Sequence, residues 1–152
     1  EIPLRLVGSE MCIRDSYLGV ITRRQVLEEL QDNNRGNLHT FSDQMIANLN
    51  QDKHAFSFEV EPTMIDNSGN LTQGVLAEMV KEVVYRIMEK QEQNGLVIEE
   101  MMFYFLQAAQ IDDKVTITPS IIAETRRRAH LDLMVTHGNH TVCKSVVVVK
   151  KT

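Results

Sequence analysis

A single apolar stripe in residues 70–93 constrains the fold of this chain more than any other feature. Apolar residues recur there at the three- and four-residue spacing of one helix face, which predicts one long helix with a buried side. The stripe consists of Leu71, Val75, Leu76, Met79, Val80, Val83, Val84, Ile87 and Met88. Asn70 followed by Gln73 indicates a capping-box start, and Gly95 is placed to end the helix. Because Gly74 has no side chain, another backbone or a ligand can approach the first turn.

Strand patterns surround this helix. One strand is predicted before it, with Pro62 near its end or on an edge, and four follow it. Their predicted ranges are 55–64, 97–106, 114–124, 129–137 and 141–149. Gly138-Asn139 is a two-residue hairpin turn with glycine first, as a type II′ turn prefers. A single apolar helix followed by four antiparallel strands is most simply buried by a sheet that wraps around it.

Composition and charge disfavour several classes of protein. The chain has 152 residues, of which 43% are hydrophobic and 24% charged, as in an ordinary soluble domain. Its net charge of -5 argues against sequence-independent binding of nucleic acid. No apolar run approaches the ~20 residues of a membrane span, and no signal peptide is recognisable, so we expect a cytoplasmic protein without a membrane partner. Cys12 and Cys143 do not make a disulfide framework or a metal site, and we expect no metal and no cofactor.

The first sixteen residues of the chain fit nothing that follows them. Residues 7–16, VGSEMCIRDS, resemble translated sequencing-adapter read-through, so residues 1–16 are expected to be non-native and without function. Residues 17–31 predict a strand and a helix, and their pattern G-V-I-T-x-x-x-V resembles the end of a CBS motif. In that family the position of Thr22 and an Asp at the position of Gln25 hold a nucleotide. The Asp is missing and the unit is alone, so no nucleotide site is expected here, and a generic strand-helix unit is the alternative.

The order of one strand, a long helix and four antiparallel strands resembles the hotdog fold. In that fold a curved antiparallel sheet of about five strands wraps a long central helix. Residues 102–117 resemble the hotdog pattern F-L-x-P-x-x-x-G-D-x-[VIL], with Ala108 in place of Pro and Asp112 in place of Gly. The matching residues are Phe105, Leu106, Asp113 and Val115. The sequence DNSGNLTQGVLAEMV is similar to the loop and helix start of acyl-CoA thioesterases, N-x-x-G-x-x-H-G-G. The expected fold class is therefore an α+β hotdog.

The whole chain resembles the end of one bacterial architecture, in which DRTGG and CBS domains precede a thioesterase-like hotdog. This resemblance divides the chain into a non-native segment at 1–16, a CBS-like remnant with a linker helix at 17–54, and a hotdog domain at 55–152. The DRTGG domain and most of the CBS pair are expected to be missing. Nucleotide binding is expected only in that missing upstream region.

The resemblance to hotdog thioesterases implies where a site would lie. In those enzymes backbone N–H groups at the start of the central helix polarise the thioester carbonyl, and a nearby polar side chain orients water or acts as base. Gly74 aligns with the second Gly of H-G-G, which makes its N–H the candidate oxyanion donor. Thr72 then stands at the His position and Gln73 at the first Gly. Lys81 stands where many such enzymes carry a catalytic Asp.

Carboxylates on the helix are candidates to replace the missing base. Glu78 lies one turn past Gly74 and is the candidate catalytic base, with Glu82 a second choice. The alternative is that both glutamates form ion pairs, Glu78 with Lys81 and Glu82 with Arg86, on a solvated face.

Polar residues before and within the first turn are candidates to contact the ligand. Asn67 is a candidate to orient water, and Asn67, Thr72 and Gln73 are candidate ligand contacts. Capping of the helix is the alternative for each of them.

One basic cluster, Arg126-Arg127-Arg128, begins the fourth predicted strand, which is the third of those that follow the helix. In related folds basic groups here meet the phosphates of CoA, and Arg126 and Arg128 share one face of a strand, so these two are candidate substrate contacts. The alternative is a solvated sheet edge or a salt bridge to Glu124 or Asp132.

Two functions remain open at this point. One is hydrolysis of an acyl-CoA, and the other is a non-catalytic module that senses acyl-CoA or dimerises a CBS-domain protein. The strand at residues 97–106 is apolar on both faces in its second half, which predicts pairing across a subunit boundary. A homodimer or a dimer of dimers is therefore expected.

Overall fold

The protein divides into two compact units, residues 1–40 and 41–152. The computed structural model describes five stretches of the chain, residues 10–13, 16–20, 22–34, 40–89 and 95–152. No helix in these stretches is long and apolar enough to cross a membrane.

The first unit is a small hairpin followed by a helix. Strands β1 (Glu10–Ile13) and β2 (Ser16–Val20) pair antiparallel, and helix α1 spans Arg23–Asn34. The N–H of Thr22 donates to Oε1 of Gln25 at 3.0 Å, and the N–H of Gln25 donates to Oγ1 of Thr22 at 3.2 Å. This reciprocal capping box gives a structural role to Thr22, which matches the CBS pattern, and to Gln25, which stands in place of its Asp.

The second unit is one long helix packed on a six-stranded antiparallel sheet, which is the hotdog fold that the sequence predicted. The sheet order is β3-β4-β6-β7-β8-β5. The elements are α2 (Phe41–Ile46), β3 (Asn50–Gln51), β4 (Phe56–Glu59), α3 (Gln73–Glu89), β5 (Leu96–Phe105), β6 (Lys114–Glu124), β7 (Arg128–His137) and β8 (His140–Lys151). The strand beyond the five predicted is the two-residue β3, and the helix of the predicted linker, α2, packs against α3 within this unit.

Helix α3 begins at Gln73, not at Asn70 as the sequence predicted. Thr72 is the residue that caps it, because Oγ1 of Thr72 accepts the N–H of Val75 at 3.3 Å. Asn70 instead forms an isolated bridge with Gln110. The predicted end of the helix at residue 93 lies outside the described residues, and α3 is described to Glu89.

The core lies between α3 and the inner face of the sheet. Helix α3 buries six residues there: Leu76, Met79, Val80, Val83, Val84 and Met88. The central strand β7 contributes four residues that are fully buried: Ala129, Leu131, Leu133 and Val135. Each buried leucine or valine contributes about 1.5–3 kcal/mol to folding, so this layer dominates stability. Cys143 on β8 is buried in the same layer, and burial raises the pKa of its thiol to about 11 because the thiolate is poorly solvated there.

The predicted strand at residues 55–64 is shorter than expected. Strand β4 stops at Glu59, and Pro62 begins a single 3-10 turn, Pro62–Met64. Proline fits the start of such a turn because its missing N–H is not needed there. The predicted strand at 55–64 is therefore wrong for residues 60–64.

The turn before β6 holds Asp112 in the left-handed region of backbone conformation, with φ of 69°. This is the position at which the hotdog pattern carries Gly, and the N–H of Asp112 donates to the carbonyl of Val60 at 2.9 Å. An aspartate tolerates this conformation better than a β-branched residue does, because its short polar side chain crowds the backbone less.

Replacing Asp112 with valine is expected to destabilise the protein by about 1–3 kcal/mol, since a β-branched residue is strained at positive φ. Replacing Asp112 with glycine is the matched control. It should change stability by less than about 1 kcal/mol, because relief of strain opposes the greater freedom of the unfolded chain. Urea titration of the three proteins compares their free energies of unfolding. Equal effects of valine and glycine would contradict this account of the turn.

Candidate functional site

A cleft of about 470 Å³ opens between the start of α3 and the segment that follows β5. One wall comes from the loop and the first turn of the helix: Asp66, Asn70, Leu71, Thr72, Gln73 and Leu76. The facing wall comes from the end of β5, the segment after it and β8: Phe105, Leu106, Gln107, Ala108, Ala109 and Val142. The first wall therefore carries most of the polar groups, and the second is mostly apolar.

Backbone hydrogen bonds fix both walls. The N–H of Leu71 donates to the carbonyl of Ala109 at 2.7 Å, which joins the helix start to the facing segment. On the far side, the N–H groups of Leu106 and Gln107 both donate to the carbonyl of Val142, at 2.9 and 3.2 Å. The cleft is thus built from main chain held on both sides, so its shape does not depend on long side chains.

Two backbone N–H groups at the helix start are left for a ligand. Thr72 satisfies the next two groups, since its Oγ1 accepts the N–H of Val75 and its carbonyl accepts the N–H of Leu76 at 3.2 Å. Within the described stretches, the N–H groups of Gln73 and Gly74 have no protein acceptor. A Cβ placed on Gly74 would meet no heavy atom within 4 Å beyond its own helix backbone and chain neighbours. The helix therefore presents free N–H donors, at the positive end of its dipole, beside an open approach.

Asp66, rather than the predicted Asn67, lines the cleft. Oδ1 of Asp66 accepts the N–H groups of Ser68 at 2.8 Å and Asn70 at 3.1 Å, and this closes the turn that precedes the helix. Asn67 is exposed in the middle of that turn. The sequence contained the signal, because counting three positions back from Gly69 in N-x-x-G-x-x-H-G-G arrives at Asp66.

Glu78 does not line the cleft of its own chain. Its carboxylate pairs with Nζ of Lys81 at 2.8 Å, on the side of α3 that faces away from the sheet. Glu82 pairs in the same way with Nε of Arg86 at 2.8 Å. The two ion pairs that the sequence offered as the alternative reading are both present. Thr72 and Gln73 do line the cleft, although Thr72 also caps the helix.

The arginine cluster lies at the other end of the sheet. In the register of β7 and β8, Arg128 lies opposite Lys150. Lys150 is eight residues along β8 from Val142, which lines the cleft. At about 3.3 Å per residue this separation is about 26 Å. The structure therefore does not bring Arg126 and Arg128 together with Gly74 of the same chain.

Arg128 has a local partner that the sequence did not indicate. Its Nε donates to Oε2 of Glu99 at 2.8 Å and its Nη2 to Oε1 at 3.4 Å, in a two-pronged ion pair between β7 and β5. The hydrogen bond from Arg128 lowers the pKa of the Glu99 carboxyl, and the same bond raises the pKa of Arg128. The sequence indicated Glu124 or Asp132 as the alternative partner, because the residues of β5 that lie near Arg128 follow from the strand order, which no local pattern shows.

The arrangement suits a carbonyl compound more than an anion. Free N–H groups polarise a carbonyl oxygen, and the wall of Leu76, Phe105 and Leu106 packs against an apolar group. Asp66 is the one ionisable side chain among the residues that line the cleft. The cleft of a single chain therefore offers no cationic side chain to a negatively charged part of a ligand.

Comparison of sequences identifies relatives of the second unit. The profile of the thioesterase superfamily matches residues 68–144, a little over half of the chain. Uncharacterized protein YtoI of Bacillus subtilis (strain 168) is 24% identical over 100 residues. This match covers 66% of the present chain and 23% of YtoI, so the chain spans less than a quarter of that curated relative.

Solved structures share the fold at low sequence identity. A hypothetical thioesterase from Streptococcus pneumoniae TIGR4, solved with coenzyme A, has a TM-score of 0.63 and 18% identity, covering 68% of this chain and 84% of the other. The protein smu.793 from Streptococcus mutans UA159, solved with acetyl CoA, has a TM-score of 0.66 and 14% identity, covering 77% and 94%. At these identities the likeness shows the fold.

Proposed function

The chain belongs to the thioesterase superfamily, and from that premise we propose that it binds acyl-CoA thioesters and hydrolyses them in the cleft at the start of α3. The observation that carries the proposal is the pair of free N–H groups on Gln73 and Gly74, beside an approach that no side chain fills. Coenzyme A and acetyl CoA in two proteins of the same fold support the choice of thioester.

The proposed chemistry places the thioester carbonyl oxygen against the N–H of Gly74 and the acyl group against Phe105 and Leu106. Water attacks the carbonyl carbon, and negative charge develops on the oxygen that the helix start stabilises. The carbon–sulfur bond then breaks, the thiol leaves with a proton, and a carboxylic acid remains. Thr72 and Gln73 are proposed to contact the substrate from the same wall.

A carboxylate must accept the proton of the attacking water in this scheme. Asp66 is our first candidate because it lines the cleft of its own chain. Glu78 is the rival candidate for the base, and it requires that its helix face a cleft completed by a second chain. Asn67 has no group that takes up the proton, so its proposed role is to orient the water. Arg126 and Arg128 are likewise proposed to meet the CoA phosphates only across such a boundary.

Replacing Asp66 with asparagine is expected to lower kcat by about 100-fold or more, because general-base catalysis contributes about 10²–10⁴. Asparagine keeps the Oδ1 acceptor and therefore the turn, so binding of CoA should be unchanged. The matched change Glu78→Gln should alter kcat no more than a few-fold. Thiol release from acetyl-CoA and longer acyl-CoAs, with calorimetry of CoA binding, measures both. The reverse result would assign the base to Glu78 and the site to a subunit interface.

A second function, binding without hydrolysis, is favoured by two departures from the thioesterase pattern. Thr72 stands in place of His. Lys81 stands in place of Asp and forms an ion pair with Glu78. A sensing or dimerising module of a larger CBS-domain protein fits these departures. Heat of acyl-CoA binding without any thiol release would select this function over hydrolysis.

We further propose a homodimer, or a dimer of dimers, formed through β5. Strand β5 is the last strand of the sheet, and its ten residues form a long edge. Met102 and Tyr104 lie on this strand, and they are 52% and 55% exposed. A long apolar edge of this kind is normally covered, and a second copy of the same strand covers it most simply.

A further inference from the structure

The edge of β6 is open along more than half of its length. Strand β4 pairs with β6 only from Lys114 to Ile117. Strand β7 pairs with the other side of β6 as far as Glu124. Among the strands in the described stretches, none pairs with the outer side of β6 over residues 118–124. The backbone groups on that side are available to another strand.

This open edge carries apolar side chains. Ile121 is 37% exposed and Ile122 is 60% exposed, and a bulge between Ile121 and Ala123 places an extra residue at this point. Pro119 lies in the same stretch, and a proline inside a strand fits best where its missing N–H faces an open edge. The open stretch therefore has apolar contact surface as well as free backbone.

A cavity of about 360 Å³ lies beside the open edge and has no lining residue in common with the acyl cleft. Its apolar lining comes from Phe56, Ile87, Ile121 and Leu131. Its polar rim comes from Gln51 at the end of β3, from Asp52, Lys53 and His54 in the connection to β4, and from Ser120. Asp52 and Lys53 balance each other in charge, so the positive charge of this region comes from the arginines that follow the edge. A cavity of this size accepts one large apolar side chain that enters from a strand laid along β6.

Unpaired positive charge follows the open edge directly. Arg126 and Arg127 are exposed, and within the described part of the chain neither guanidinium has a carboxylate partner. The charged residues on either side are paired, Glu124 with Lys151 and Arg128 with Glu99. The two free arginines therefore add a positive end to an otherwise apolar strip.

We propose that an extended, acidic peptide segment of a partner protein adds as a strand to residues 118–124 of β6. One large apolar side chain of the segment fills the cavity beside Ile121, and its carboxylates meet Arg126 and Arg127. Backbone pairing supplies affinity in this mode of recognition, and the pocket supplies specificity. The charge of the edge selects an acidic segment over a neutral or basic one.

The test uses the full chain and a fluorescein-labelled peptide of about eight residues, in which glutamate alternates with valine and one central residue is leucine. Anisotropy should show micromolar binding that weakens as salt rises. The variant R126E/R127E should bind about tenfold more weakly, whereas R23E/R24E on α1, with the same change in net charge, should bind within about twofold of the parent. Hydrogen exchange should slow at residues 118–124 in the complex.

Two changes in the peptide separate the parts of the proposal. Proline in place of the valines removes the backbone donors and should abolish binding. Alanine in place of the leucine leaves the cavity empty and should weaken binding about tenfold. The proposal is overturned if the parent peptide does not bind, if R126E/R127E binds it as tightly as the parent does, or if exchange slows at β5 instead of β6.

Discussion

Replacing Gly74 with valine is expected to lower kcat/KM for acyl-CoA hydrolysis by about 100-fold while the protein stays folded. The fold should tolerate the change because a Cβ at this position meets no heavy atom within 4 Å beyond the helix itself and its chain neighbours. The ligand should not tolerate it, because the valine methyl groups occupy the approach to the Gly74 N–H. Loss of one oxyanion donor typically costs 10²–10³ in kcat. Thiol release and thermal denaturation, measured on the same preparation, separate the two effects.

The matched control is Gly74→Ala. Alanine adds one methyl group and should raise stability by up to about 1 kcal/mol, because glycine is the poorer residue inside a helix. Its kcat/KM should fall much less than that of the valine variant. Normal hydrolysis by a folded Gly74→Val protein would place the carbonyl somewhere other than the start of α3.

The sequence predicted the fold well where a repeating pattern was long. The apolar spacing from Leu76 to Met88 is compatible only with a helix that buries one face, and the structure has that helix. Strand β6 was predicted with the bounds that the structure gives it, Lys114–Glu124. The hairpin at Gly138 was also confirmed, since Gly138 has φ of 57° and joins His137 to His140. These features depend on neighbours along the chain, which a sequence shows directly.

The ends of elements depended on partners that a sequence does not show. Asn70 is a residue type that often caps helices. Here, however, its carbonyl accepts the N–H of Asp66, and its backbone forms a bridge with Gln110. Thr72, two residues later, is the first position at which a side chain can reach the N–H of the helix. Local propensity could not choose between the two residues, because the choice is made by the turn that Asp66 closes.

The residues of the candidate site that belong to one local pattern could be predicted from the sequence, and those that depend on strand register could not. Gly74, Thr72 and Gln73 were predicted from a pattern within one loop and helix. The structure places Thr72 and Gln73 in the wall of the cleft, and Gly74 follows Gln73 directly in α3. Arg126 and Arg128 were predicted from their charge, their shared strand face and the place of basic groups in related folds. Their distance from Gly74 depends on the direction and register of β7 and β8, which no local pattern encodes. In the proposed dimer, these arginines and Glu78 serve a site only if the second chain brings its cleft to them.

The second large effect is therefore expected at β5, where replacing Met102 and Tyr104 together with lysine should convert a dimer to a monomer of 17.4 kDa. If two copies of β5 pair antiparallel across a two-fold axis, side chains near the axis lie opposite or diagonal to their own copies. Four added lysines would then face one another across a boundary that was apolar, and like charges in such positions oppose pairing. Sedimentation velocity measures the mass of the parent and of the variant.

Lysines at Thr118 and Ile122 on β6 are the matched control, because they add the same charge to a strand that is not at that edge. The control should keep the mass of the parent, and an unchanged mass in the Met102 and Tyr104 variant would show that the chains meet elsewhere.

Thiol release by the monomeric variant then shows whether one chain or two chains supply the residues of the site. Lost turnover would place Glu78 or the arginines of one chain at the cleft of the other. Retained turnover would confine the chemistry to Gly74 and Asp66 of a single chain.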